Sequence, residues 1–291
     1  MYSILGYRED NDLGQIDAAH PLAKFQAILV TGHAMPRTSR RVQGYTMFDR
    51  APIAISYKPK NPDYLPLVVS SIRQYLPDWP IVIQAEAKDL PPQIWLERNH
   101  IEPIIRAAHP KDANKVNRLW DHQRVFAEHY DRWIWWHDDM YLLHDLPSPE
   151  ATLSEPRVRR LEQNRPNKKL NVWHGWLWDT LAFFQCQSIA APNPVLHVPR
   201  LIERESLNSI PANWDRSRLL FEPTYLLWHW HNHNLQPFED SVFRCAVFKG
   251  TIPDVFSLQA AGHTILTWGK KIDHEGSMKL LAGDQTKSFE C

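Results

Sequence analysis

The chain has 291 residues, with Lys+Arg and Asp+Glu equal at 33 each and apolar residues at 43%. That length suits one large domain or two small ones with a sizeable core, and the balanced charge excludes a global field drawing it to nucleic acid or an anionic membrane, though not a local basic patch. Cys186, Cys245 and Cys291 form no Cys-x-x-Cys pair, which argues against a disulfide framework or zinc knuckle and for a reducing cytosol.

The N-terminus, MYSILGYREDND, turns acidic without the apolar run of a signal peptide. No apolar stretch approaches the roughly 18 residues that span a bilayer, so a cytoplasmic protein without a membrane span is expected. A strand is expected at 25–33, followed by a basic loop. From residue 51 the pattern sharpens. "APIAISYKP" reads as a buried strand, and 63–77 carries apolar residues at helical spacing, with Asp63 as cap and Pro77 as stop. "WPIVIQAEA" (79–87) is a second strand, so the three elements form a βαβ unit with parallel strands.

A short helix follows at 91–100, then an edge strand at 101–109, where Pro103 disfavours a central place. Residues 112–130 form an amphipathic helix with Val116, Leu119, Trp120, Val125 and Phe126 inward. "RWIWWH" is the next strand. Residues 146–170, rich in Pro, Arg and Lys, read as a surface excursion. Residues 171–184 read as a strand passing into a helix near Trp178–Thr180. Residues 191–210 read as a turn, an extended segment at 195–198 and a helix. A helix at 224–234 and a closing strand, loop and helix complete the chain. The fold expected is α/β, with a mainly parallel, mixed sheet flanked by helices. One domain spans 1–291, subdivided by function into halves at about 51–145 and 171–291.

The stretch "RWIWWHDDMYLL" (132–143) runs a buried strand into two adjacent carboxylates, Asp138 and Asp139, and resumes apolar residues at once. Two neighbouring carboxylates repel unless a cation or donor array compensates. Mg²⁺ or Mn²⁺ does this well, and a metal on one or two carboxylates keeps positions open for phosphate oxygens. Ligands of open α/β sheets bind outside strand C-termini, which is where this pair stands. The plainer reading is a surface turn.

An apolar strand ending in a carboxylate motif after a strand–helix–strand start resembles the GT-A-fold glycosyltransferases, in which an Asp-x-Asp-type motif holds Mn²⁺ or Mg²⁺ and the diphosphate of a nucleotide sugar. The local "WWHDDMYLL" is similar to the Stealth-type and capsular-polysaccharide sugar-phosphate transferases, with His137 in the place of their Asn; "LHVPRLIERESL" (196–207) is similar to their His-x-Pro segment. The resemblance covers about 51–145 and, more weakly, 171–280. It implies that Asp139 ligates the metal and that Asp138 assists or contacts the donor. It implies donor contacts from Lys115, Asn117 and Arg118, and base contacts from Tyr57 and Lys58. His197 becomes a metal ligand or a donor or acceptor contact, and His263 or Asp273 completes the shell. Asp179 and Glu222 fall on the acceptor side as candidate bases. The co-substrate implied is a nucleotide sugar of UDP type, with a carbohydrate acceptor.

Other patterns have plainer readings. His229 and His233 share a helix face, but Trp230 stands where an H-E-x-x-H zinc site carries Glu, so packing among Trp is preferred. The basic clusters Arg37/Arg40/Arg41 and Arg157/Arg159/Arg160 with Lys168/Lys169 are solvated loops, or else a polyanion surface that keeps open transfer to hydroxymethylated DNA. Thirteen Trp suit a core as well as stacking on sugars or bases, the basis of a non-catalytic binding-module alternative. A metal-dependent phosphohydrolase is a third reading.

Overall fold

The computed structural model describes residues 40–42, 45–47, 49–60, 63–109, 115–158, 172–240 and 242–287; the strand expected at 25–33 lies outside them. Strands β1 (Arg40–Val42) and β2 (Tyr45–Met47) pair antiparallel. Then come β3 (Ile53–Ser56), α1 (Leu65–Tyr75), β4 (Ile81–Ala85), α2 (Gln93–Arg98), β5 (Ile101–Ile105), α3 (Lys115–His129) and β6 (Arg132–Trp136). In α1, Leu65, Val68, Val69 and Ile72 recur at helical spacing and are buried. Asp63 Oδ1 accepts the Leu65 N–H at 3.1 Å, and the helix stops two residues before Pro77.

The second half adds β7 (Met140–Leu142), α4 (Pro149–Ser154), β8 (Arg157–Val158), α5 (Val172–Cys186), β9 (Arg200–Glu203), α6 (Arg204–Ser209) and α7 (Phe221–Asn232). It closes with β10 (Phe238–Glu239), β11 (Arg244–Gly250), α8 (Val255–Ala260), β12 (Ile265–Ile272) and α9 (His274–Lys287).

The central sheet has the order β5-β4-β3-β6-β9, parallel except for β9. Pro103 sits in β5, an edge strand, as its missing N–H requires. Side chains alternate between two cores. Ile53, Ile55, Ile83 and Trp136 face α1 and a second sheet, β11-β12-β7. Ala54, Val82, Trp133 and Trp135 face residues of α3, α5 and α7. Because β9, from the second half, pairs with β6, both halves share one sheet. The Trp surplus serves this core. Trp79, Trp120, Trp133 and Trp136 are buried, and each donates its indole N–H, to Ala51 O, Leu219 O, Gln123 Oε1 and Met140 O at 2.8–2.9 Å.

Three expectations are corrected. Residues 172–186 are one helix, α5, so the described residues before Trp178, where a strand was expected, are already helical. Leu177, Thr180, Leu181 and Phe184 are buried at helical spacing, but Trp176 and Phe183 flanking that stripe and Trp178 on the exposed side hide the period. After the extended segment at 195–198, where a helix was expected next, the chain forms strand β9 at Arg200–Glu203 before α6 begins, because β9 is held by pairing with β6 rather than by its own pattern. The excursion after residue 146 begins as helix α4 and strand β8.

Candidate active site

Strands β4 and β5 lie on one side of β3, and β6 returns to the other side, so the order reverses between β3 and β6. Such a switch point opens a crevice at the strand C-termini. The two strands end level, Ile55 opposite Trp136. Beyond β3 the chain continues through Tyr57, Lys58 and Lys60. Beyond β6 it turns through His137-Asp138-Asp139, with Met140 N donating to His137 O at 3.3 Å, and enters the second sheet as β7. The carboxylate pair therefore occupies the turn between two buried strands belonging to different sheets. That explains why apolar sequence resumes immediately after two charges.

The two carboxylates are compensated from different directions. Lys60 Nζ lies 2.6 Å from Asp138 Oδ1. His197 Nε2 lies 3.2 Å from Asp139 Oδ1. Burial pushes the Asp138 carboxyl up; Lys60 pulls against it, and Asp139 and Asp63 add to the rise. Burial also acts upward on Asp139, but the hydrogen bond and charge of His197, with His137 and Lys60, outweigh it and hold this carboxyl at about 2. Asp139 is thus the firmly ionised member of the pair.

His137 packs with its ring tilted against Trp135, centroids 4.4 Å apart, and tilted against His197 at 4.7 Å. Among the described residues, one ligand atom from each of His137, Asp139 and His197 lies within 4.8 Å of the other two. His197 reaches this position from a left-handed backbone, φ 54°. For a non-glycine residue that conformation costs on the order of 1–3 kcal/mol and marks a position over-determined by its surroundings.

Other expected residues are placed as follows. Tyr57 is buried, and its hydroxyl donates to Asp63 Oδ2 at 2.6 Å, so its ring is a packing element tied to the loop before α1. Lys58 is exposed at the strand end, Lys115 opens α3 and Asn117 lies half-buried on it. Arg118 is half-buried, its Nε buried without a hydrogen-bond partner; burial first, then Arg106, with a smaller part from Arg118, lowers His109 and His122. The Nε2 atoms of those imidazoles lie 3.0 Å apart, beside Arg106 at the end of β5.

Glu222 is buried in the first turn of α7 with Arg200 Nε 3.9 Å away, and Arg200 pairs in register with Trp135 near the end of β6. Asp179 is exposed on α5. His263 Nδ1 lies 2.6 Å from Val242 O. It precedes Ile265, which pairs with Leu142, so the register puts it at the end of β12 away from Asp139. Asp273 accepts the Gly276 N–H at 3.1 Å, at the start of α9. Lys60, which the sequence did not single out, follows β3 two residues after Lys58, so its place just past a strand end at the crevice was the signal that could have found it.

No protein-family model and no curated protein matches the sequence. Among solved structures, the chain is similar to a galactosyltransferase, LgtC, in complex with donor and acceptor sugar analogs, at 12% identity and TM-score 0.43 over 80% of this chain and 95% of that one. It is also similar to glucosyl-3-phosphoglycerate synthase from Mycobacterium tuberculosis, in complex with Mn²⁺, UDP and glucosyl-3-phosphoglycerate, at 14% identity and TM-score 0.39 over 65% and 70%. These likenesses are too distant to assign an activity, which we argue instead from the site's own residues.

Proposed function

We propose that the protein is a metal-dependent glycosyltransferase, moving a sugar from a nucleotide-sugar donor to an acceptor hydroxyl. The observation that carries this reading is the convergence of Asp139, His197 and His137 at the switch-point crevice, beside Asp138 and Lys60. The residues fit a divalent ion: an ionised carboxylate with two imidazoles suits first-row transition ions, Mn²⁺ included, better than Mg²⁺, which prefers oxygen ligands alone. Asp139 and His197 are the ligands, and His137, standing in the place of the amide of similar enzymes, is the third.

When bound, the metal supplies charge neutralisation for the leaving diphosphate. Lys60, half exposed, adds a mobile cation that can exchange Asp138 for a phosphate oxygen. Asp138, freed of Lys60, accepts a donor hydroxyl. Arg118, on α3, is the basic residue of that helix that would contact the donor, whereas Arg106, after β5, is already paired with Glu86 at 3.3 Å. The donor implied is of UDP type and the acceptor a carbohydrate, on the acceptor side with Asp179.

Support for a DNA acceptor is thin: Arg157 is held by Asp240 and Glu155, and Arg37, Arg159, Arg160, Lys168 and Lys169 lie outside the described residues. Among the described residues, no helix is long and apolar enough to cross a membrane.

The test is release of nucleoside diphosphate from a panel of nucleotide sugars with Mn²⁺ and either oligosaccharides or hydroxymethylated DNA. Acceptor-dependent turnover by wild type and none by Asp139→Ala supports the reading. Transfer of sugar phosphate, with nucleoside monophosphate as product, marks the Stealth-type chemistry instead. Release without any acceptor marks a hydrolase.

A further inference from the structure

We propose that Glu203, His229 and His233 form a second metal site, for Zn²⁺, that ties the end of α7 to the end of β9. Glu203 is the last residue of β9, directly before α6. His229 lies in the last turn of α7, and His233 is the residue that closes the helix. Four positions apart, the imidazoles project from one helix face, with ring centroids 4.4 Å apart. Glu203 Oε2 lies 3.8 Å from His229 Nδ1, and one ligand atom from each of the three residues lies within 4.8 Å of the others.

Zinc bonds of about 2.0–2.2 Å at tetrahedral angles separate ligand atoms by roughly 3.4 Å. A small rotation about the side-chain bonds therefore brings the three into range without moving backbone. Ser206 closes the inner side. Its Oγ lies 2.9 Å from His229 Nδ1, 3.4 Å from His233 Nε2 and 3.4 Å from Glu203 Oε2. A hydroxyl so placed can hydrogen-bond to a metal-bound water. The outer side is open, since His233 is exposed.

Two imidazoles and one carboxylate are a common zinc donor set, and the borderline-soft nitrogen ligands disfavour Mg²⁺ and Ca²⁺. With Trp230 buried where a zinc hydrolase carries its glutamate, the site lacks a general base; its role is to brace structure. What it braces matters, because β9 is the strand that follows His197, which the crevice uses.

The test uses the full chain, stripped of metal, in an Asp139→Ala/His197→Ala background, so that the outcome is independent of the transferase reading. Titration with Co²⁺ is expected to give one tight equivalent with tetrahedral visible absorption, and Zn²⁺ at saturation to raise Tm by on the order of 5 °C. Adding His233→Ala, at an exposed position, is expected to remove both signals, and Glu203→Gln to weaken both. A background protein that binds no Co²⁺, or a His233→Ala form that binds as well as the background, overturns the proposal.

Discussion

Replacing Asp139 by Asn isolates the charge at the centre of the crevice. Asn keeps the volume and an oxygen that can accept from His197 Nε2, now 3.2 Å from Asp139 Oδ1. What is lost is the carboxylate's attraction to the surrounding cations. Burial alone pushes this carboxyl up, yet His197, His137 and Lys60 hold it at about 2, against an ordinary 3.8. A folded-state pKa below the unfolded one means that the unfolded chain takes up the proton first. The stability is therefore fully present above about pH 4 and is lost as pH falls through about 2. At about 1.36 kcal/mol per pH unit the gap corresponds to roughly 2 kcal/mol. Asp139 also pushes Asp138 up, so its removal relieves some repulsion. The net expectation is a loss of about 1–2 kcal/mol in Asp139→Asn. Urea denaturation at pH 5 without metal measures it, and the difference from wild type should shrink by about half at pH 3. A difference below about 0.5 kcal/mol at pH 5, or one that grows on acidification, refutes the electrostatic account.

Three further outcomes follow from named contacts. Glu222→Gln leaves buried Arg200 with Asp240 alone as counter-charge and is expected to cost about 3 kcal/mol in urea denaturation, while the folded protein binds nucleotide sugar as wild type does; lost binding at full stability would make Glu222 a binding residue instead. Lys60→Ala should weaken nucleoside-diphosphate binding about three- to tenfold by calorimetry, a charge-assisted bond discounted for the exposure of the lysine; an unchanged affinity removes Lys60 from the donor site. Burial first, then Arg106, His109 and Arg118, hold His122 at about 3 against an ordinary 6.5. The unfolded chain is thus protonated first, and stability falls as pH drops below 6.5, by about 1–2 kcal/mol at pH 5. His122→Gln should flatten that decline, and an equally steep decline in the variant contradicts it.

The sequence made the first half of the sheet legible because each element has a strong local period: β3, α1, β4, α3 and β6 alternate as a parallel unit must, and Pro103 named its own edge. It revealed only the second half of α5, whose aromatic residues occupy several faces at once. Nor did it reveal β9, which begins with Arg200, a residue that reads as surface but is buried, donating to Pro194 O at 2.8 Å. The site divides the same way. Asp138 and Asp139 stood out because two charges at the end of an apolar strand have a cost that something must offset. His197 came from resemblance, and its contact with Asp139 is set by a backbone turn that no pattern announces. Lys60 and Arg200 take their meaning from partners 78 and 22 residues away, and pairings at that range come from the fold alone.

The central claim is that Asp139 holds a metal on which a nucleotide sugar sits. The most direct measurement is the Tm of wild type and Asp139→Ala with nucleotide sugars, with and without Mn²⁺. The account predicts a rise in wild type that needs both Mn²⁺ and nucleotide sugar and is absent in Asp139→Ala. A nucleotide sugar that stabilises both proteins equally, or none that stabilises wild type, contradicts it.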